Sequence, residues 1–159
     1  QGAQFRPKFF TAHEYATVGI LVDLIIPRDA RSGSATDAGV PQFMDFVMTD
    51  GTEQRRLAMR GGLAWLDREA RERFSVRDFR RLTSAQRMQI LDAIAWPARA
   101  KPEDSHGVAF FNSFRDLTAS GFWSSQLGVK DLGYQGNIPV AEWKGCPQNV
   151  LDKLGVRRA

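Results

Sequence analysis

Large apolar residues recur at spacings of three and four between positions 105 and 122, which places them on one face of a helix. With the small residues between them, this face consists of Phe110, Phe111, Phe114, Leu117, Thr118, Gly121 and Phe122. Ser105 can cap the start of the helix, because its hydroxyl can accept a hydrogen bond from a free backbone amide. Full burial of one Phe contributes roughly 2–3 kcal/mol, so the pattern predicts a central helix that anchors the core.

Two helices are predicted before residue 51. Thr11 to Glu14 has the form of a capping box, and Pro27 ends the helix that it opens, because proline lacks a donor. Residues 28–39 contain no large apolar side chain and predict a surface loop. Pro41 fits the first turn of a second, short helix. The apolar residues of that helix are Phe43, Phe46 and Val47.

A long and strongly charged helix is predicted from Glu53 to Phe74. Gly61 and Gly62 interrupt it, and a glycine inside a helix costs about 1 kcal/mol relative to alanine unless close packing requires the missing side chain. The predicted inward-facing stripe is Leu57, Leu63, Leu66, Ala70 and Phe74.

Two more capping patterns follow at 75–78 and 83–86. The second opens a helix that stops near Pro97 and has Met88, Leu91, Ile94 and Ala95 inside. After Pro147, residues 148–154 can form one or two closing turns. Five or six helices without a convincing strand predict an all-α fold, a compact bundle with a long irregular C-terminal loop.

The stretch from 123 to 146 loses the helical period but keeps its large apolar groups. They are Trp123, Leu127, Leu132, Tyr134, Ile138, Val140 and Trp143. A loop with this much apolar surface has to pack on its own domain or on another chain. We therefore predict a single domain over 1–159, with a helical scaffold of about 11–122 and a C-terminal loop and tail of about 123–159.

Length and charge narrow the class of protein. A chain of 159 residues fits one domain, and its longest apolar run is too short to cross a bilayer. The net charge of +4 is modest, and the densest basic stretch is interleaved with acidic residues. Nucleic-acid binding favours a less compensated face with accessible aromatics, so that partner is not predicted. The basic stretch contains Arg55, Arg56, Arg60, Arg68, Arg71, Arg73, Arg77, Arg80 and Arg81.

Residues with catalytic or metal-binding chemistry are sparse. His13, His106 and Cys146 are the only nitrogen or sulfur ligand candidates, and none lies at ligand spacing from another. Neither histidine has a Ser or Cys partner in a recognisable pattern. We predict no catalytic residue, cofactor-binding residue or metal ligand. A small exported enzyme that uses one of the histidines stays open as an alternative, as does a basic interaction module for nucleic acid or a membrane surface.

Two features bear on the compartment. The sequence starts at Gln1, and Gln1 to Gln4 would suit a chain after removal of a secretory signal. Cys146 is the only cysteine, so no disulfide within the chain is possible. Two readings of Cys146 stay open: a buried and inert thiol, or a bridge to another chain.

Several segments, in order, resemble the gluconate 2-dehydrogenase subunit 3 family over nearly the whole chain. The first two are FFTAHEYATVGILVDLIIP at 9–27 and AGVPQFMDFV at 38–47. The middle of the chain contributes GGLAWLDREARERF at 61–74 and an F-x-x-L-T-x-x-Q-R-x-x-I-L pattern at 79–91. The last part contributes FFNSFRDLTASGFWSS at 110–125, LGYQGN and EWKGCP.

This resemblance implies a non-catalytic small subunit of a periplasmic, membrane-associated dehydrogenase. The large partner would be an FAD-containing oxidoreductase of the glucose–methanol–choline type, which oxidises sugars or sugar acids and passes electrons onward, often to a cytochrome c. The small subunit would support the partner's stability, maturation and twin-arginine export, and it would meet the membrane only through the complex. Because the sequence lacks the Gly-rich dinucleotide fingerprint, FAD is expected in the partner.

In such a complex we expect the 123–146 loop to be the docking surface. Trp and Tyr dominate interface energetics, because each joins a large apolar area to a polar group. The resemblance also makes Cys146 a candidate for a disulfide with the large subunit. The predicted interface residues are Trp123, Leu132, Tyr134, Ile138, Trp143 and Cys146.

Overall fold

The computed structural model describes residues 5–134, 136, 139, 141–142 and 145–156. All regular structure in these residues is helical, which confirms the predicted all-α fold. The described residues form seven α-helices, so the prediction of five to six is too low. The helices are α1 (Ala12–Ile25), α2 (Val40–Thr49), α3 (Glu53–Phe74), α4 (Ser84–Ala95), α5 (Ser105–Trp123), α6 (Gln126–Leu132) and α7 (Gln148–Leu154). Two short 3₁₀ turns lie at Phe79–Arg81 and Pro102–Asp104.

The additional helix, α6, lies inside the stretch that was predicted to be irregular. The Ser125 hydroxyl accepts a hydrogen bond from the Gly128 amide at 3.0 Å, which satisfies one of the first free donors. Gly133 ends the helix with a φ of 68°, a conformation that glycine adopts without strain. A seven-residue helix is defined by these end signals and is too short for a clear apolar period. The prediction of an irregular chain over 126–132 is therefore wrong.

Helix α5 is the centre of the fold, in contact with α1, α2, α3, α4 and α6. The side chains of Phe114 and Phe122 are fully buried, and the rest of the predicted aromatic face is buried with them. The predicted cap at Ser105 is wrong. Ser105 is already the first helical residue, and the preceding Asp104 makes no capping hydrogen bond through its side chain, because a 3₁₀ turn leads directly into α5.

Helices α3 and α5 approach each other at Gly62. A Cβ atom at this position would lie 1.9 Å from Cδ2 of Phe110, so the ring occupies the space that a side chain would need. The adjacent Gly61 differs, because a Cβ atom there would have no other group within 4 Å. Close packing therefore accounts for Gly62 and leaves Gly61 unexplained within the described chain.

Some predicted core positions are exposed, because the register of each helix is set by the contacts of its buried face. Leu57 lies nine residues before the buried Leu66, which is about two and a half helical turns. The two side chains therefore point to opposite faces of α3, and Leu57 is exposed. On α2 the buried positions are taken by Met44 and Met48, which leaves Phe46 on the opposite side. Likewise, Met88 on α4 is exposed.

The capping patterns have different outcomes. The boxes at Thr11 and Thr83 are both confirmed, with each hydroxyl accepting from the third amide of its helix. The pattern at 75–78 does not cap a helix, because no α-helix begins at Ser75. Ser75 instead ends α3 in the left-handed region, with a φ of 55°.

The segment before α1 is attached to α2 through one carboxylate. Asp45 is only 2% exposed, and its oxygens accept hydrogen bonds from the backbone amides of Lys8, Phe9 and Phe10 at 2.8, 3.0 and 3.0 Å. One buried carboxylate thus accepts from three backbone amides, and both the carboxylate and the amides would be costly to bury without these hydrogen bonds. This arrangement fixes Phe9 and Phe10 in the core.

Candidate functional site

The first part of the predicted docking region is attached to the body of the domain. Leu127 of α6 packs against the core, and its Cδ1 atom would be 2.9 Å from a Cβ atom at Gly33. The guanidinium of Arg31 donates to the Asp131 carbonyl at 2.9 Å and lies 3.3 Å from the Asp131 carboxylate. The loop before α2 therefore holds α6 against the scaffold.

This loop is itself organised by carboxylates. Asp37 accepts hydrogen bonds from the Ser34 amide at 2.7 Å and from the Arg28 guanidinium at 2.6 Å. The bond from the backbone amide of Ser34, with smaller contributions from the Ser34 hydroxyl and Arg28, lowers the pKa of Asp37. The charged form of Asp37 is thus the one that shapes the loop.

Three of the predicted interface residues are described with large exposed fractions. Trp123 is 42% exposed, Tyr134 is 61% exposed and Leu132 is 63% exposed. Trp123 ends α5 with its ring edge-to-face against Phe122, at a centroid distance of 4.9 Å, so the indole is partly supported and partly exposed. Cys146 is also exposed, so the reading of it as a buried thiol is wrong. Ile138 and Trp143 lie outside the described residues.

The last helix adds apolar groups that were not predicted as part of the docking surface. Helix α7 contains no buried residue, although it has the spacing of an amphipathic turn at Val150, Leu151 and Leu154. We use the name C-terminal apolar residues for Trp123, Leu132, Tyr134, Val150, Leu154 and Val156, all of which are exposed. A contiguous patch of exposed apolar groups is typical of an interaction region, and these residues are the candidates for such a patch.

A histidine–aspartate pair forms the closest approach to a catalytic arrangement in the described residues. His13 Nε2 lies 2.6 Å from Asp67 Oδ2, and the other Asp67 oxygen accepts a hydrogen bond from the Phe79 amide at 3.0 Å. The adjoining cavity of about 330 Å³ is lined by His13 and by charged Asp and Arg side chains, and the described lining residues include no Ser, Thr or Cys. No nucleophile lies beside the pair among the described lining residues. The pair connects α1, α3 and the 3₁₀ turn at Phe79–Arg81.

The sequence offered no local signal for this pair, because the two residues are far apart along the chain. His106, the other histidine, lies elsewhere, at the edge of a groove between α3 and α5. The two histidines therefore do not form a common site.

A groove between α3 and α5 encloses a volume of about 940 Å³. Its apolar lining includes Met59, Trp65, Phe110, Phe114 and Leu117. Its polar lining includes Arg55, Arg68, Arg71, His106 and Asp116. This groove was not predicted, because it exists only where two helices distant in sequence lie side by side.

The described residues hold no cluster of three or more His, Cys, Asp or Glu side chains arranged to bind a metal ion. Within the same ranges, no helix combines the length and apolarity of a transmembrane span.

Comparisons with known proteins identify a family. No curated protein and no solved structure matches the chain. The family described as "Gluconate 2-dehydrogenase subunit 3" matches residues 12–141, a range that runs from the start of α1 through α6 and beyond. The chain therefore belongs to the gluconate 2-dehydrogenase subunit 3 family, a family of dehydrogenase-complex subunits.

Proposed function

We propose that this chain is the non-catalytic small subunit of a periplasmic, FAD-dependent dehydrogenase that acts on a sugar, a sugar acid or a glycoside. Its large partner is a flavoprotein of the glucose–methanol–choline type, and the chain supports the stability, maturation and export of that partner. The match to the subunit family over residues 12–141 is the observation that carries this proposal.

FAD belongs to the large subunit in this proposal. A dinucleotide site of the common kind needs a strand, a Gly-rich turn and a helix in succession. The sequence has no such fingerprint, and the regular structure of the described residues is entirely helical. Electrons from the oxidised substrate would pass through the partner's flavin to an acceptor such as a cytochrome c subunit. The residues of the small subunit serve binding and support.

The docking role is assigned to the C-terminal apolar residues. Tyr134 and Trp123 are of the types that contribute most to binding energy, because each buries a large ring and retains one polar group. Leu132 lies at the end of α6, which the scaffold holds in place through Arg31 and Leu127. A supported helix with exposed apolar groups at its end presents those groups with little further ordering on binding.

Co-purification tests the proposal. When the affinity-tagged chain is isolated from cells that express the whole complex, we expect a larger subunit with the absorption spectrum of FAD. Tyr134→Ala should weaken the complex about tenfold or more, as expected for an aromatic at the centre of an interface. Leu57→Ala is the matched control, because Leu57 is also exposed but lies on α3. A tagged chain that purifies without a flavoprotein would contradict the proposal.

We also expect a disulfide between Cys146 and the large subunit. Cys146 is the only cysteine of the chain and is exposed, so any disulfide that it forms joins two chains. In the oxidising periplasm such a bond can persist. On a non-reducing gel, the small subunit should migrate with the large one, and either reductant or Cys146→Ser should separate them. Separate migration without reductant would rule the bond out.

A further inference from the structure

We propose that the groove between α3 and α5 binds an acidic, amphipathic helix of the large subunit. This second contact lies on the scaffold, and its lining includes none of the C-terminal apolar residues. It rests on the proposed function for the identity of the partner, and the length, lining and charge of the groove indicate what kind of segment fits it.

The groove has the length of a helix-binding trough. Gly62 faces Phe110 and Trp65 faces Gly107, so residue numbers rise along α3 as they fall along α5 and the two helices are antiparallel. The lining runs from Arg55 to Arg71 on α3, a length of about 24 Å at the usual helical rise. That length accommodates about four turns of a partner helix laid along the groove.

The lining suits the apolar face of such a helix. Large apolar side chains are interspersed with small residues that leave room between the two helices, namely Ala58, Gly61, Ala64, Ala109 and Ser113. An amphipathic helix that lays its apolar face into a groove of this type is a common mode of recognition. The groove is long and lies between two neighbouring helices, which favours a polypeptide segment over a compact small molecule.

Gly61 supplies an independent reason to expect a partner here. A glycine in the middle of a long helix lowers the stability of that helix. Gly62 is required by Phe110, whereas a Cβ atom at Gly61 would meet no atom within 4 Å. The space over Gly61 opens into the groove, where a docked helix could approach the backbone of α3 closely.

The charges around the groove indicate the sign of the charge that a partner segment should carry. Arg55, Arg68 and Arg71 line it, together with His106, and Asp116 is the one acidic residue among the described lining residues. Asp116 pairs with Arg115 at 3.2 Å, and Arg68 pairs with Glu69 at 3.2 Å and lies 3.7 Å from Glu72. The Arg55 side chain makes no hydrogen bond or ion pair with the described residues, and Arg71 donates only to the Arg77 carbonyl. Acidic residues along the edge of a partner helix would complement these cations.

Charge also argues against a second copy of this chain as the occupant of the groove. The exposed helix α7 is the element that a second copy could insert most readily. It carries one acidic residue, Asp152, and one basic residue, Lys153. A helix with balanced charge does not match a groove in which Arg55 and Arg71 have no acidic partner among the described residues.

The test uses the purified complex in a Cys146→Ser background, so that no disulfide hides a loss of affinity. Dissociation is followed on dilution by mass photometry, with the flavin absorbance identifying the large subunit. Gly61→Leu places a large side chain in the groove, and Arg55→Glu reverses the charge at one position of its lining. Each should weaken the complex about tenfold or more. The melting temperature of the isolated chain should not fall in either variant, because neither position packs against the body of the domain.

Two matched controls accompany these variants. Gly19→Leu introduces the same side chain into α1, at a glycine whose Cβ position is also free of neighbours within 4 Å. Arg99→Glu reverses the charge of an exposed arginine outside the groove lining. Both control complexes should dissociate as the parent does.

The outcomes separate this proposal from the proposed function. If Tyr134→Ala weakens the complex and both groove variants leave it unchanged, the groove proposal is overturned and the proposed function stands. If the parent chain binds no flavoprotein, the proposed function fails first. A dimer of the isolated chain that Gly61→Leu abolishes would assign the groove to a second copy and overturn the proposal.

Discussion

Replacing Gly62 with alanine should destabilise the protein by about 2–3 kcal/mol, the upper part of the usual range for overpacking a core. The new Cβ atom would lie 1.9 Å from Cδ2 of Phe110, so either the ring or the backbone of α3 has to move. The ring cannot move without a further change, because it packs against Phe114 at a centroid distance of 5.4 Å. The strain therefore spreads into the contact between α3 and α5.

Gly61→Ala is the matched control, since it makes the same chemical change one residue earlier. Without a steric conflict, only the helix propensity changes, and the variant should be as stable as the parent or more stable by up to about 1 kcal/mol. Urea denaturation of the isolated chain measures both free energies of unfolding. Equal stability of the two variants would contradict the packing described for Phe110.

Replacing Asp45 with alanine should lower the free energy of unfolding by about 3 kcal/mol, because an unsatisfied buried donor costs about 1–3 kcal/mol and three are affected. The amides of Lys8, Phe9 and Phe10 would lose their common acceptor. Partial release of the segment is expected to limit the loss, because released amides can bond to water. Phe9 and Phe10 would then leave the core.

The controls for this prediction separate the hydrogen bonds from a general effect of charge. Asp50→Ala removes an exposed carboxylate at the end of the same helix and should change the stability by less than about 0.5 kcal/mol. Asp45→Asn retains one acceptor oxygen and should give an intermediate loss. Limited proteolysis before α1 should increase in Asp45→Ala. A variant with parental stability and proteolysis would show that these hydrogen bonds contribute little.

The local part of this fold could be predicted from sequence, because its signals lie within a few residues of each other. The capping boxes at Thr11 and Thr83 and the aromatic face of α5 are examples, and all three are confirmed. Ser75 shows the limit of such signals. Residues 75–78 match the pattern of a capping box, but Ser75 is the residue that ends α3.

The contacts that position the elements could not be predicted, because they join residues far apart along the chain. Asp45 and the Phe9 amide, or His13 and Asp67, share no local pattern. The glycine pair in α3 indicated close packing, but only the structure distinguishes a glycine under a ring from one over open space. For the candidate docking region, the residue types pointed to Trp123 and Tyr134, and their role in binding stays a prediction.

The state of α7 has a consequence for how the complex assembles. A helix of seven residues is marginal in water, since isolated helices below about 12–15 residues rarely persist. None of its residues is buried, so packing against the rest of the chain contributes little to stabilising its helical conformation. In the proposed complex, α7 would become fully helical on contact with the partner, and the loss of chain entropy would be subtracted from the affinity. Residues of α7 that never touch the partner could then tune both the strength and the speed of assembly through helix propensity alone.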